Sequence, residues 1–348
     1  MPPRDILLAE ETLFRDDSIF NPDHIPDQFR FREAQLREMT FALKPALRDG
    51  RPGNAFLIGP PATGKTTAVR LVFDEMAKET NKVLAVHVNC HMHPSAFKIF
   101  SEIHRSVFGM APPDTGTPLS KVAGDVFTRL SKEGKVLVVA LDDINFLFEN
   151  GTANDILYMI LRAHESYKGI LTSVFAVATE ELLHELDERV RSIFSPVRID
   201  FPEYSGRELR DILARRCEAG LYPDVIPGEL LDRIASRSRD LRFGIELVKQ
   251  SAMAAEADAC RRIEEQHVEK ALRAMTRHED VDSGKILLSI VRSQGPMESG
   301  KLYELLKREQ GMSYTTFYRL LQRLKSEKAL AIKPVEKTRG KTSMISAK

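Results

Sequence analysis

Gly59-Pro-Pro-Ala-Thr-Gly64-Lys65-Thr66 lies between the apolar run Ala55-Phe-Leu-Ile58 and an amphipathic stretch from Lys65 to about Glu79. The octet fits Gly-x-x-x-x-Gly-Lys-Ser/Thr, and a strand before it with a helix after it is the context that motif requires. Backbone N–H groups of such a loop and of the helix start have no preceding turn to accept them, so they are free to hold phosphate oxygens. Glycines at 59 and 64 permit close approach and positive φ. The residues predicted to cradle a nucleotide are Gly59, Pro60, Pro61, Ala62, Thr63, Gly64, Lys65, Thr66 and Thr67. Lys65 is assigned to the β- and γ-phosphates and Thr66 to Mg²⁺, which makes the ligand ATP or ADP with Mg²⁺.

Metal and attacking water both need carboxylates beside the phosphates, and these should end a later strand. Val136-Leu-Val-Val-Ala-Leu-Asp142-Asp143 supplies them. Asp142 is predicted to serve the metal and Asp143 to polarise water. Two further apolar runs, Val83-Leu-Ala-Val-His-Val88 and Leu171-Thr-Ser-Val-Phe-Ala-Val177, alternate with helical stretches near 96–108, 119–131 and 154–167. Near-continuous apolar strands alternating with helices imply a parallel sheet covered on both faces, so the class is α/β. Ahead of this body, Leu36, Met39, Leu43 and Leu47 repeat at helical spacing and describe one apolar face. Beyond Pro202 the pattern turns helical at 205–219, 228–238, 242–259 and 264–274, and the polar run Arg277–Ser283 is expected to be a linker.

The formal charge of +1 conceals an asymmetry. Residues 281–348 hold 14 Lys/Arg against six Asp/Glu, whereas residues 1–280 hold 37 against 44. The basic module reads as three short helices, at 285–292, 299–309 and 314–328, followed by Ala329-Leu-Ala-Ile-Lys-Pro-Val and a basic turn, which is the order of a winged helix-turn-helix. Its third helix has an apolar face of Phe317, Leu320, Leu321 and Leu324, and a second face of Thr315, Tyr318, Arg319, Gln322 and Lys325. That second face is the predicted reader of double-stranded DNA, with Lys333, Lys337, Arg339 and Lys341 on the wing neutralising phosphates.

Composition excludes other classes. A hydrophobic fraction of 43% with 29% charged residues rules out a fibre or a disordered chain. No apolar run reaches the roughly 20 residues that cross a bilayer, and Met1–Phe14 carries no secretory pattern, so no membrane partner and a cytoplasmic, nucleoid-associated site are expected. Cys90, Cys217 and Cys260 have no disulfide or zinc spacing, and His87, His91 and His93 lack a completing carboxylate or cysteine pattern, so all six are read as core or surface residues. Arg189 and Arg191, after the last substantial helix of the α/β section, are placed where an arginine reaches a neighbouring subunit's phosphate; an exposed charge pair is the alternative.

The chain resembles the archaeal replication initiators related to the origin recognition complex and the cell-division-cycle loader. The residues that carry the resemblance are Phe20-Asn-Pro-Asp-His-Ile-Pro, Arg32-Glu-Ala-Gln-Leu, Val88-Asn-Cys90, Leu141-Asp-Asp-Ile-Asn-Phe-Leu, Leu186-Asp-Glu-Arg-Val-Arg-Ser and Asp240-Leu-Arg-Phe-Gly-Ile-Glu-Leu. It implies an AAA+ P-loop domain over residues 1–202, an all-α lid over 203–278 and a winged-helix domain over 279–348. It also implies that Lys65 and Thr66 take the Walker A roles, Asp142 the first Walker B role, Arg189 the arginine finger and Arg242 the lid contact to nucleotide. The stretch between Val88 and Val136 then holds the helical insertion that initiators direct at DNA.

What the resemblance implies in function is an ATPase that binds origin duplex, recruits or loads the replicative helicase ring, and meets further copies or a paralogous initiator on DNA. Three departures from the family pattern stand out: Asp143 for the usual glutamate, Thr179 for the usual sensor asparagine, and Pro60-Pro-Ala-Thr63 for a Lys-Thr-Gly-Thr type run. They point to tight binding with slow hydrolysis. The rival readings are a nucleotide-gated DNA-binding regulator and a transposition-helper or clamp-loader-like ATPase.

Overall fold

The computed structural model describes residues 12–113, 116–310, 314–327, 329–336 and 341–347. They form two compact units, one ending at Lys249 and the other beginning at Gln250. Among the described residues no helix is long and apolar enough to cross a membrane.

In the first unit β1 (Ala55–Ile58), β2 (Val83–Asn89), β3 (Val136–Asp142), β4 (Leu171–Ala178) and β5 (Val197–Asp200) make one parallel sheet in the order β2-β3-β4-β1-β5. Side chains alternate between faces along a strand. Leu137, Val139 and Leu141 of β3 therefore join one apolar cluster, while Val136, Val138 and Ala140 join the other. Both faces are covered, which is why β3 reads as an unbroken apolar run and is buried throughout.

Helices Lys65–Glu79, Ala96–Phe108, Leu119–Glu133 and Ala153–Leu161 cover the sheet near their expected places. The stretch expected as one helix over 154–167 is split at Arg162, and a separate turn runs Ala163–Ser166. Strand β5 has no counterpart in the sequence reading, because only Ile199 of Val-Arg-Ile-Asp is buried and an edge strand needs no apolar run. The apolar stripe before β1 also ends early. Met39 and Leu43 are buried in the helix Glu33–Leu43, but the chain tightens into a 3₁₀ turn over Lys44–Arg48 and leaves Leu47 exposed.

The polar N-terminal lead is pinned to the helix Gly206–Gly220. Arg15 donates to the carbonyls of Glu218 and Ala219, and Arg216 donates to those of Ile19 and His24. Phe20 is fully buried between them, and a Cβ on Gly220 would lie 2.4 Å from its ring, so this contact requires glycine. Helices Gly228–Arg237 and Leu241–Ala257 follow.

In the second unit the expected linker is absent. Arg277–Ser283 lies inside a single helix, Glu265–Gln294, so the boundary expected at 278 falls on continuous helix. A polar sequence is compatible with a solvated helical turn as well as with a loop, and no Gly or Pro interrupts Arg277–Ser283. Next come β6 (Met297–Glu298), helices Ser299–Gln310 and Tyr314–Ser326, and the hairpin of β7 (Leu330–Glu336) and β8 (Lys341–Ala347). The antiparallel sheet runs β6-β8-β7, and Leu287, Leu302, Leu306, Phe317, Leu320 and Ile345 share one core. These are the elements and order of a winged helix-turn-helix.

Truncating Phe20 to Ala is expected to cost about 3–5 kcal/mol, as for a buried aromatic whose neighbours cannot collapse. A denaturant titration of the full chain followed by helical signal checks it; an unchanged midpoint would show that the N-terminal lead is not anchored there.

Candidate nucleotide-binding site

The loop after β1 is held by contacts that leave no room for larger residues. A Cβ on Gly59 would sit 2.1 Å from the Phe201 carbonyl oxygen, and one on Gly64, at φ 91°, would lie 2.9 Å from both the Phe29 ring and the Tyr204 hydroxyl. Ala62 has φ 60°, a left-handed conformation that non-glycine residues adopt at a cost of roughly 1–2 kcal/mol. The curl turns the carbonyls of Gly59 and Pro60 onto the Lys65 ammonium, which donates to them at 2.5 and 2.7 Å. Burial pushes the Lys65 pKa down to about 8; Asp142 and Asp143 oppose that and Arg242 adds to it.

Behind the loop sits Arg32, only 2% exposed. Its guanidinium donates to the carbonyls of Thr63 (3.0 Å), Phe31 (2.7 Å) and Pro202 (2.6 Å) and stacks 3.8 Å from the Tyr204 ring centre. One side chain thus ties the phosphate loop to the segment before the first helix and to the end of β5. The sequence reading quoted Arg32 only as part of a family pattern, since nothing local reveals that its partners lie about 30 and 170 residues away.

The parallel sheet brings the acidic pair to this loop. Thr66 donates its hydroxyl to Asp142 Oδ2 at 2.8 Å, and His87 Nε2 approaches the same oxygen at 2.9 Å. The other oxygen of Asp142 accepts the Asp143 N–H at 3.1 Å. Burial works against the Asp142 carboxylate, but the hydrogen bonds from His87 and Thr66 outweigh it and hold the pKa below its ordinary value. Burial pushes Asp143 the other way, with the like charge of Asp142 adding to the rise and the Asn89 amide, 3.2 Å away, opposing it. Two residues on β2, His87 and Asn89, therefore each contact one of the two carboxylates. The sequence alone marks His87 as a plain core or surface residue. The missed signal was its place two residues before Asn89, on one face of a strand paired in register with β3.

All of this faces a cavity of about 830 Å³, large enough for a nucleotide. Pro61 to Thr67, Asp142, Asp143, Thr179 and Arg242 line it, together with Ile25, Phe29, Tyr204, Ile212 and Ile245 on its apolar side. Gly59 and Pro60 contribute through their carbonyls rather than as lining. Thr179 is exposed, and its backbone N–H donates to Asn145 Oδ1 at 3.2 Å. Arg189 does not line this cavity. It is exposed, paired with Asp187 at 2.7 Å and set over the Tyr158 ring at 5.6 Å.

The residues assigned to DNA separate as the helical period requires. Phe317, Leu320, Leu321 and Leu324 are buried, whereas Tyr318, Arg319, Gln322 and Lys325 are exposed, as is Lys333 on β7. Thr315 and Lys341 are described in backbone alone, and Lys337 and Arg339 lie outside the described residues.

Known proteins resolve the family. Residues 28–174 match the AAA ATPase domain, and residues 210–273 match the Cdc6 AAA+ ATPase-type lid domain. The ORC1-type DNA replication protein 2 of Methanothermobacter thermautotrophicus is 42% identical over 333 residues, covering 92% of this chain and 88% of the relative. This chain belongs to the ORC1-type DNA replication proteins. The corresponding protein 2 of Methanosarcina acetivorans is 39% identical over 360 residues, covering 100% of this chain and 96% of its own length. Among solved structures, the Aeropyrum pernix ORC1 protein in complex with DNA superposes with a TM-score of 0.75 at 28% identity, over 97% of this chain and 94% of that one. As a member of this family with an AAA ATPase domain, the chain is an ATPase that binds ATP and ADP.

Replacing Arg32 by Met is expected to lower stability by about 1–3 kcal/mol, because it orphans buried carbonyls, and to weaken ADP binding. Arg32→Lys keeps the charge without the planar fork and should recover only part of either loss. Calorimetric titration with ADP and thermal unfolding of both variants test this; full ADP affinity in Arg32→Met would separate the brace from the loop.

Proposed function

We propose that this chain is a replication initiator that, with ATP bound, grips origin duplex DNA and helps recruit or load the replicative helicase ring, with slow hydrolysis acting as a reset. The observation that carries this reading is relatedness along the whole length, the basic module included, rather than to the ATPase core alone. The Aeropyrum pernix ORC1 protein was solved in complex with DNA, which supports duplex DNA as the partner here. In this reading residues 1–202 hold nucleotide, 203–278 form the lid and 279–348 grip DNA. The lid match at 210–273 falls within the second of these.

Within the site, Gly59 to Thr67 cradle the phosphates and Lys65 exchanges its two carbonyl partners for phosphate oxygens. Thr66 and Asp142 hold Mg²⁺, which neutralises phosphate charge when bound. The donor set would fit that ion: two hard oxygens 2.8 Å apart, beside a loop for phosphate.

Asp143 positions the attacking water, Thr179 stands beside it, and Arg242 closes onto the nucleotide from the lid. Arg189, held outward by Asp187 and Tyr158, serves a neighbouring copy or a paralogous initiator on DNA. Tyr318, Arg319, Gln322 and Lys325 read the groove, together with Thr315. Lys333, Lys337, Arg339 and Lys341 neutralise phosphates along the wing.

Two features of the site support slow hydrolysis. Asp143 is shorter than glutamate by one methylene and is bonded to Asn89. A water misplaced by about 1 Å costs on the order of a hundredfold in rate.

Single-turnover hydrolysis at the rate of an ordinary AAA+ motor would overturn the slow-switch reading. Asp143→Asn is expected to reduce that rate by a further hundredfold or so, as loss of a base does, while leaving ADP affinity nearly unchanged. Lys333→Ala in the full chain should weaken duplex binding and reduce the slope of log affinity against log salt by about one. Binding insensitive to salt would remove the phosphate-contact account. The test of the biological role is to map bound genomic sites and identify co-purifying proteins: helicase subunits at origins support initiation, and promoter occupancy with polymerase supports a transcription regulator instead.

A further inference from the structure

We propose that His87 is a positioning residue for the metal carboxylate, holding Asp142 so that Mg²⁺ raises nucleotide affinity. The inference rests on the reading of Asp142 as that carboxylate. Strands β2 and β3 pair in register with Asn89 opposite Asp142 and His87 opposite Ala140, so His87 lies one pleat behind the acid on the same face as Asn89. From there its Nε2 reaches Asp142 Oδ2 at 2.9 Å.

An ionised carboxylate only accepts hydrogen bonds, so Nε2 carries the proton and donates. Asp142 is 2% exposed, which leaves its orientation to protein donors: Thr66 and His87 on one oxygen and the Asp143 N–H on the other. Of these three, Thr66 is itself assigned to the metal, and the Asp143 N–H belongs to a residue in a left-handed conformation at φ 55°. His87 is the donor that comes from a strand of the sheet and has no duty toward the cation. Partners of this kind fix the plane of a ligating carboxylate, and their loss costs about 10–100-fold in metal affinity or activity.

The mechanism assigns different consequences to two replacements. His87→Phe keeps a ring of similar size and removes the donor, whereas His87→Gln returns an N–H close to the position of Nε2. ADP binding to the full chain is measured with excess MgCl₂ and again with EDTA, for the native protein, both His87 variants and Asp142→Ala. Expected for His87→Phe is a loss of tenfold or more in the Mg²⁺-dependent gain, with affinity in EDTA within twofold of native. His87→Gln should restore most of the gain.

An unaltered Mg²⁺-dependent gain in His87→Phe overturns the proposal, as does an equal loss with and without Mg²⁺, which would make His87 a packing residue of the loop. Restoration absent in a folded His87→Gln also counts against it. If Asp142→Ala itself leaves the Mg²⁺-dependent gain intact, it is the assignment of the metal to Asp142 that fails, and the role of His87 falls with it.

Discussion

A buried ammonium organises the nucleotide-binding unit. Lys65 is 7% exposed, and an unpaired charge at that depth is costly enough that its surroundings must supply oxygen atoms. They do so in two shells. The curled loop turns the carbonyls of Gly59 and Pro60 inward, and the sheet delivers Asp142 and Asp143 at the end of β3. Each supply has a structural condition attached. The curl needs a glycine packed against Phe201, positive φ at Ala62 and Gly64, and the Arg32 brace on Thr63. The carboxylates need a strand buried on both faces, which only a parallel sheet covered by helices provides. A polyphosphate offers Lys65 oxygens that carry charge, so the same arrangement that tolerates the ammonium favours exchange of carbonyls for an anion.

Charge is also divided along the chain. Residues 1–280 carry an acidic excess, whereas the basic excess lies in residues 281–348. An exposed face with Arg319, Gln322 and Lys325 on a helix whose other face is buried suits a long polyanion, because groove contact needs side chains and not backbone.

Much of this was legible in the sequence, and the remainder has identifiable causes. Local pattern sufficed for the loop, for β1 to β4, and for the pairing of Asp142 and Asp143 with the loop, because a motif and a fully buried strand each leave a continuous signal. The edge strand β5 left none, having one buried residue in four. The polar run 277–283 looked like a linker because periodicity does not distinguish a solvated helix from a loop when no apolar face is present. Arg32 and His87 were missed for another reason. Their roles consist of contacts across the sheet or between distant segments, and an arginine or histidine in an ordinary stretch carries no mark of such a contact.

Asp143 shows how fold and chemistry constrain each other at one residue. It follows directly on β3, and its backbone at φ 55° lies in a region where aspartate is tolerated several-fold better than most side chains. The turn there serves the sheet: the next residue, Ile144, returns its N–H to the Val177 carbonyl of β4 at 3.0 Å and buries its side chain in the core. A short acid fits that turn, donates its own N–H to Asp142 and reaches Asn89. The same shortness draws its carboxylate back from the cavity by about the length of one methylene relative to glutamate. The position of this carboxylate is tied to the geometry of the strand end. On the proposed reading, the left-handed turn that serves the sheet and the Asp142 carboxylate would also set the position of the attacking water.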